Sequence, residues 1–229
     1  MTKKRYGVID AVRGFSLILM IAHHFAFDLY DCHLIPGKLL FNPIVEGLHI
    51  IFASVFIAIS GACSSFSSNN LRRGLKILLG AAAVTAATYI FDPGQYVRFG
   101  ILHFLGVCSL LYVPISKTSI IKKTPIWVFA LLFALTYKIQ DITVGCSYLF
   151  AIGLKSYSFV TFDWFPLIPW IFMYLFGAKL GGYISSGKMP EKFYSFSCPA
   201  LEWIGKKSLW IYLLHQPILL GITMLIEKL

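Results

Sequence analysis

The chain has 229 residues, of which 58% are hydrophobic, 16% aromatic and only 13% charged, with a formal net charge of +10. A soluble domain of this length rarely sustains a mean hydropathy of +0.75, and the apolar residues fall in blocks of about 20, the number that crosses about 30 Å of hydrocarbon. The positive charge is explained by loops facing a cytoplasmic leaflet, and with no nucleic-acid motif or soluble domain present, a nucleic-acid partner is excluded from the reading.

Seven spans are expected, at 9–30, 46–66, 74–91, 99–116, 125–140, 166–184 and 207–226. They are separated by breakers such as IPGK at 35–38, SSNN at 67–70, DPGQ at 92–95 and SSGKMPEK at 185–192. The predicted fold class is all-α, a polytopic membrane helix bundle of about seven transmembrane helices forming one domain over 1–229. The basic N-terminal MTKKR resembles a signal-peptide start. Asp10 and Arg13 interrupt the early apolar stretch and no small-residue cleavage site stands out, so the segment is read as a retained first helix.

Alternating the spans sorts the charges. Lys3, Lys4, Arg5, Arg13, Arg72, Arg73, Lys76, Lys117, Lys122, Lys123, Lys179, Lys188, Lys192, Lys206 and Lys207 fall on one side. Only Lys38, Arg98, Lys138, Lys155 and Lys228 fall on the other. The bias places the N-terminus in the cytoplasm and the C-terminus outside. The fifth span is the weakest, because Lys138 sits near its end. Residues 141–165 then form an outer loop whose Tyr, Phe and Trp suit the interface.

The first span carries LMIAHHFAFDLYD at 19–31. Taking about 100° per residue with Asp10 at 0°, Arg13 falls near −60°, His24 near −40° and Asp28 near 0°. These four share a stripe, and His23, near −140°, lies off it. Ionisable groups within a span face a bundle interior or an aqueous cavity and are functional candidates by default. His24 and Asp28 are an i, i+4 pair, in which a carboxylate can fix the imidazole tautomer and raise its basicity. Arg13 has two readings open, pairing with Asp10 or holding an anion that enters from the cytoplasm.

The stretch RFGILHFLG at 98–106 places His103 about one turn into the fourth span, with Arg98 at its mouth and Gly100 and Gly106 permitting close helix approach. In SLWIYLLHQP at 208–217, Tyr212 and His215 are i, i+3 neighbours, with Ser208 a further turn back. Gln216 beside Pro217 also suits a helix kink, since proline frees a carbonyl near residue 213. Histidines from three spans at similar depth suggest one polar cavity. His33 and His49 read as loop and interface positions. Among Cys32, Cys63, Cys108, Cys146 and Cys198 no zinc spacing occurs, so no metal is implied, and Cys32 and Cys146 fall on one side of the membrane without a specific case for pairing.

On IDAVRGFSLILMIAHHFAFDL at 9–29, RFGILHFLG at 98–106 and GKKSLWIYLLHQP at 205–217, and more loosely FIAISGACSSF at 56–66, the chain resembles bacterial members of the heparan-alpha-glucosaminide N-acetyltransferase catalytic family. The resemblance implies acyl transfer across a bacterial-type inner membrane. The donor would be cytoplasmic acetyl-CoA, and the acceptor a sugar amine or hydroxyl (a glycan or amino sugar) on the far side. A bundle histidine would be base or acyl carrier. Carried over by motif, Arg13 and His24 form the core, with Asp28, His103, His215 and Gln216 in support. Asp10, Arg98 and Tyr212 complete the candidate substrate-binding set. His103, His215 or Gln216 are expected to donate to the oxyanion, and Arg72, Arg73, Lys122 and Lys123 are candidates for the CoA phosphates beside their ordinary reading as loop charge. Membrane lipids are the remaining partner, with homo-oligomerisation open. A transporter or proton-coupled carrier lined by the same polar groups is the alternative, and a haem protein held by facing histidines a third reading.

Overall fold

The structure, a computed structural model, describes residues 5–227; Lys3, Lys4 and Lys228, whose charges enter the expected topology, lie outside them. The helices in chain order are α1 (Gly7–Asp31), α2 (Pro43–Phe66), α3 (Asn70–Phe91), α4 (Ile101–Ile115), α5 (Ile120–Lys123), α6 (Ile126–Thr136), α7 (Leu167–Ser185), α8 (Glu191–Ser195), α9 (Pro199–Lys206) and α10 (Ser208–Ile226). Five of them, α1, α2, α3, α7 and α10, are long and apolar enough to cross a membrane. The protein is all-α, multi-helical and membrane-spanning.

The expected fourth and fifth spans are helical but shorter. Helix α4 has 15 residues and α6 has 11, about 22 and 16 Å at a rise of about 1.5 Å per residue. Helix α6 gives way at Thr136 to a 3-10 turn, Tyr137–Asp141, in which Lys138 pairs with Asp141 at 3.5 Å. Large apolar side chains on the long helices face outward, among them Leu79 at 72% and Ile90 at 83% exposure. A contiguous apolar exterior of that kind is stable against lipid rather than water.

The chain divides into two compact units, 1–56 with 189–229, and 57–188. In the first, α1 packs against α9 and α10. Its inward face holds Ile9, Asp10, Ala11, Gly14, Leu17 and Asp28, all buried. Helices α1 and α9 touch backbone to backbone. A methyl group on Gly14 would collide with the Leu201 carbonyl, and one on Gly205 with the Asp10 carbonyl, so two glycines set the approach. Helix α9 was not among the expected elements, its eight residues being too few to give a span signal.

In the second unit α3 packs on α4 and α6 on α7, with Gly106 of α4 seated against Leu78. Residues 141–165 are mostly irregular, with a two-residue parallel ladder between β1 (Thr143–Val144) and β2 (Lys155–Ser156). They are tied to the start of α4. Asp163 Oδ2 accepts from the Ile101 N–H at 2.9 Å, and Thr161 donates to the Tyr96 carbonyl at 2.9 Å. Gly100, at the N-cap, has no side chain to cap the helix, so a carboxylate from a distant loop satisfies that N–H and complements the dipole.

Candidate functional site

Within the first unit the polar stripe of α1 forms two stations. The Arg13 guanidinium lies 3.3 Å from Asp10 Oδ1, and the Arg5 Nε lies 3.3 Å from Asp10 Oδ2. Asp10 is therefore a buried carboxylate between two arginines, and of the two readings of Arg13 the structure shows the pairing with Asp10. About 16 Å further along the helix, by its rise per residue, comes the second station.

There His24 and Asp28 of α1 meet His215 and Gln216 of α10. The imidazole rings of His24 and His215 are edge to face with centroids 5.1 Å apart. The Gln216 amide nitrogen donates to both Asp28 oxygens, at 2.8 and 3.0 Å. Tyr212 lies against His215, ring to ring at 5.3 Å. His23 points elsewhere and stacks on His49 at 4.9 Å. His49 lies in the second turn of α2, within the expected second span. The helix phase of the doublet separates the two histidines as their angles require.

Hydrogen positions follow from the partners. His24 Nδ1 is 2.9 Å from the Met20 carbonyl, and a carbonyl only accepts, so the hydrogen of neutral His24 is on Nδ1 and its Nε2 keeps the lone pair. The same holds for His215, whose Nδ1 is 2.5 Å from the Tyr212 carbonyl. The tautomer of His24 is therefore fixed by its own helix backbone. Asp28 was expected to fix it, but its oxygens are engaged by Gln216. The Gln216 amide nitrogen, in turn, reaches across to α1 rather than to its own backbone beside Pro217.

His103 belongs to the second unit. Its Nε2 is 3.2 Å from Thr85 Oγ1, whose single hydrogen goes to the Val97 carbonyl at 2.8 Å. The threonine oxygen can then only accept from the imidazole. His103 carries its hydrogen on Nε2, and Nδ1 is a buried lone pair without a hydrogen-bond partner. Arg98 lies over the rings of Tyr96 and Phe159, at 5.1 and 5.6 Å, an aromatic seat for a guanidinium.

The expectation that His103, His215 or Gln216 would donate to an oxyanion needs correction. Neutral His103 and His215 present bare nitrogens, and the Gln216 nitrogen is held by Asp28. As arranged, all three offer acceptors, and an imidazole becomes a donor at that atom only after taking a proton.

A second polar cluster escaped the sequence reading. Arg73, read there as a candidate for the CoA phosphates or as loop charge, donates to the Ser60 carbonyl and hydroxyl at 3.1 and 2.7 Å and to the Ser64 hydroxyl. Ser64 also hydrogen-bonds Tyr174 at 2.5 Å. The available signal was the i, i+4 serine pair in an apolar span, one turn apart and so able to face one guanidinium. The five cysteines are free thiols. Among the described residues no three His, Cys, Asp or Glu side chains gather as a metal site requires.

An acid–imidazole–imidazole–amide constellation inside apolar helices fits a membrane-embedded catalytic domain for acyl transfer. The comparison with protein families gives it a place: the family model described as heparan-alpha-glucosaminide N-acetyltransferase, catalytic, matches residues 5–217. The chain belongs to that family. No curated protein and no solved structure matches it significantly.

Proposed function

We propose that this protein moves an acetyl group from cytoplasmic acetyl-CoA to an amine or hydroxyl of a sugar on the far side of a bacterial-type inner membrane, with His24 as the reacting histidine. In this reading residues 1–229 work as one catalytic domain. The chain crosses the membrane about seven times, with its N-terminus in the cytoplasm and its C-terminus outside. The observation that carries the reading is the His24 tautomer: with Nδ1–H tied to the Met20 carbonyl, Nε2 is a lone pair held in a defined direction.

Two routes use that lone pair. As a base, Nε2 takes the proton of the attacking amine or hydroxyl while the new N–C or O–C bond forms and the C–S bond of the thioester breaks. The thiolate leaving group then receives a proton, and CoA departs as the thiol. As a carrier, Nε2 itself forms the bond to the acyl carbon as the C–S bond breaks, and the thiolate takes a proton from water and leaves as the CoA thiol. The acceptor then forms its N–C or O–C bond as the C–Nε2 bond breaks, and its proton passes to the freed Nε2. On the base route the proton-loaded imidazole is the donor the oxyanion needs. Asp28, held in place by Gln216, supplies negative charge that favours this imidazolium. Arg13, paired with Asp10, marks the inner end of the same helix face. Tyr212, ring to ring with His215, supports acceptor binding in the first unit, and Arg98 and His103 are the candidate polar residues of the second.

The test is thiol release. Purified protein in liposomes, given acetyl-CoA and a panel of amino sugars, is expected to release CoA only when a competent acceptor is present or, on the carrier route, in one burst without it. Folded protein that neither binds acetyl-CoA nor releases thiol with any acceptor contradicts the proposal.

A further inference from the structure

Four imidazoles of the first unit stand in a row. His49 of α2 is stacked on His23 of α1, with ring centroids 4.9 Å apart. His23 meets His24 edge to face at 6.1 Å, and His24 meets His215 at 5.1 Å. Exposure falls along the row: His49 is exposed, His23 and His24 are half-buried, and His215 is buried. Phe41, edge to face with Tyr30 at 5.0 Å, holds the chain entering α2 beside the end of α1. His49 lies about 9 Å from the start of α2 by its rise per residue. Glu46, one turn nearer that start, is exposed as well.

The rings differ in how they are held. His24 and His215 each have Nδ1 tied to a carbonyl of their own helix. Among the described residues His23 and His49 have no hydrogen bond. Each of these two rings is therefore free to turn, to accept a proton on one nitrogen and to release it from the other. The proposed transfer gives such rings a task. An amine in neutral water is largely ammonium. Ammonium plus thioester becomes amide, CoA thiol and one proton, whichever route His24 takes.

We propose that His23 and His49 relay that proton from His24 Nε2 to the exposed end of the row, where the Glu46 carboxylate favours its arrival. Each handover uses a ring turn or one water between neighbouring nitrogens. His23 and His49 act through His24 and are positioning residues for the proton, not reacting groups. The relay's task rests on the proposed acyl transfer. The freedom of the two rings does not.

Two measurements test the relay. The first is nitrogen NMR of histidine-labelled wild type in phosphatidylcholine nanodiscs, with no acyl donor and no variant needed. Neutral His24 and His215 are expected to keep their hydrogen on Nδ1, while His23 and His49 average both tautomers. One fixed tautomer at His23 or His49 overturns the proposal. The second is CoA release in liposomes with an amino-sugar acceptor, in weak buffer with and without added imidazole. His49→Phe keeps an aromatic stack that carries no proton, and His49→Gln keeps a polar side chain. Both are expected to slow release by about tenfold in weak buffer, and imidazole should restore it by carrying the proton instead. Wild type should be indifferent to imidazole, and in concentrated buffer release should survive loss of either relay histidine. Variant rates equal to wild type in weak buffer, or a loss that imidazole does not restore, overturn the proposal; the second result is what a purely structural role gives. Averaged rings in a wild type that releases no thiol with any acceptor would discard the acyl transfer and leave the proton path. Fixed rings in a wild type that does release thiol would do the reverse.

Discussion

At the scale of single residues the site is governed by which atoms keep their hydrogens. Helix phase, computed from position alone, puts His24 with Asp10, Arg13 and Asp28 and excludes His23. The structure places the His24 ring on His215 and the His23 ring on His49. Phase gives direction but not partner. The Asp28–Gln216 contact joins residues 188 apart, and no local pattern in either stretch announces it. The same holds for His103, whose tautomer depends on where a threonine hydrogen goes. The Asp28–Gln216 pair makes a quantitative prediction. Asp28→Leu strips the acceptors from a part-buried amide and should lower stability by about 1–3 kcal/mol. Asp28→Asn keeps an oxygen for Gln216 and should cost less. Equilibrium unfolding in mixed detergent micelles measures both, and equal losses would show that the amide contact is not what the carboxylate provides.

At the scale of elements, the long spans were legible because about 20 apolar residues have few alternatives in water, and breakers marked their ends. The short amphipathic α9 was not, since its position depends on packing: Gly14 and Gly205 let α1 and α9 share a backbone contact. Gly14→Ala and Gly205→Ala should each destabilise the first unit by about 1–3 kcal/mol, the usual cost of forcing a methyl group into a packed contact. A thermal-unfolding midpoint unchanged in both would refute the close approach. Helix α9 also carries a pH-dependent contribution. The Glu202 carboxyl is held below its usual range, first by Lys206, then by the Ser197 hydroxyl and the Cys198 N–H. A depressed carboxyl stabilises the fold above its ordinary, unfolded-state range. That contribution disappears as pH falls through the lower folded value. Glu202→Gln should therefore lower the melting temperature at neutral pH and leave it close to wild type once the carboxyl is protonated. A wild-type-minus-variant difference that is flat from about pH 7 to about pH 3 would contradict this.

At the scale of the whole molecule, composition and the five long apolar helices are the evidence for a membrane protein, the positive-charge bias is the basis of its proposed orientation, and the family match runs through both compact units. Orientation was readable only as a charge bias, because the inside–outside difference resides in the membrane potential and leaflet rather than in any fold contact. It is testable with thiols. Cys146 is exposed in its loop, and in a background keeping only that cysteine an impermeant maleimide should label it from outside intact cells. Lys188→Cys, in an otherwise cysteine-free background, should label only after the cytoplasmic face is opened. The reverse pattern would invert the topology and with it the direction of transfer.

The central claim is that one histidine of an adjacent pair reacts, chosen by the helix face it occupies. The most direct measurement compares acetyl-CoA-dependent CoA release by wild type, His23→Ala and His24→Ala in liposomes, each checked for folding by its thermal-unfolding profile. Release that survives in His23→Ala and is lost by at least about a hundredfold in His24→Ala, the scale of a missing general base, is the predicted result. Release that survives in His24→Ala and fails in His23→Ala would contradict the account.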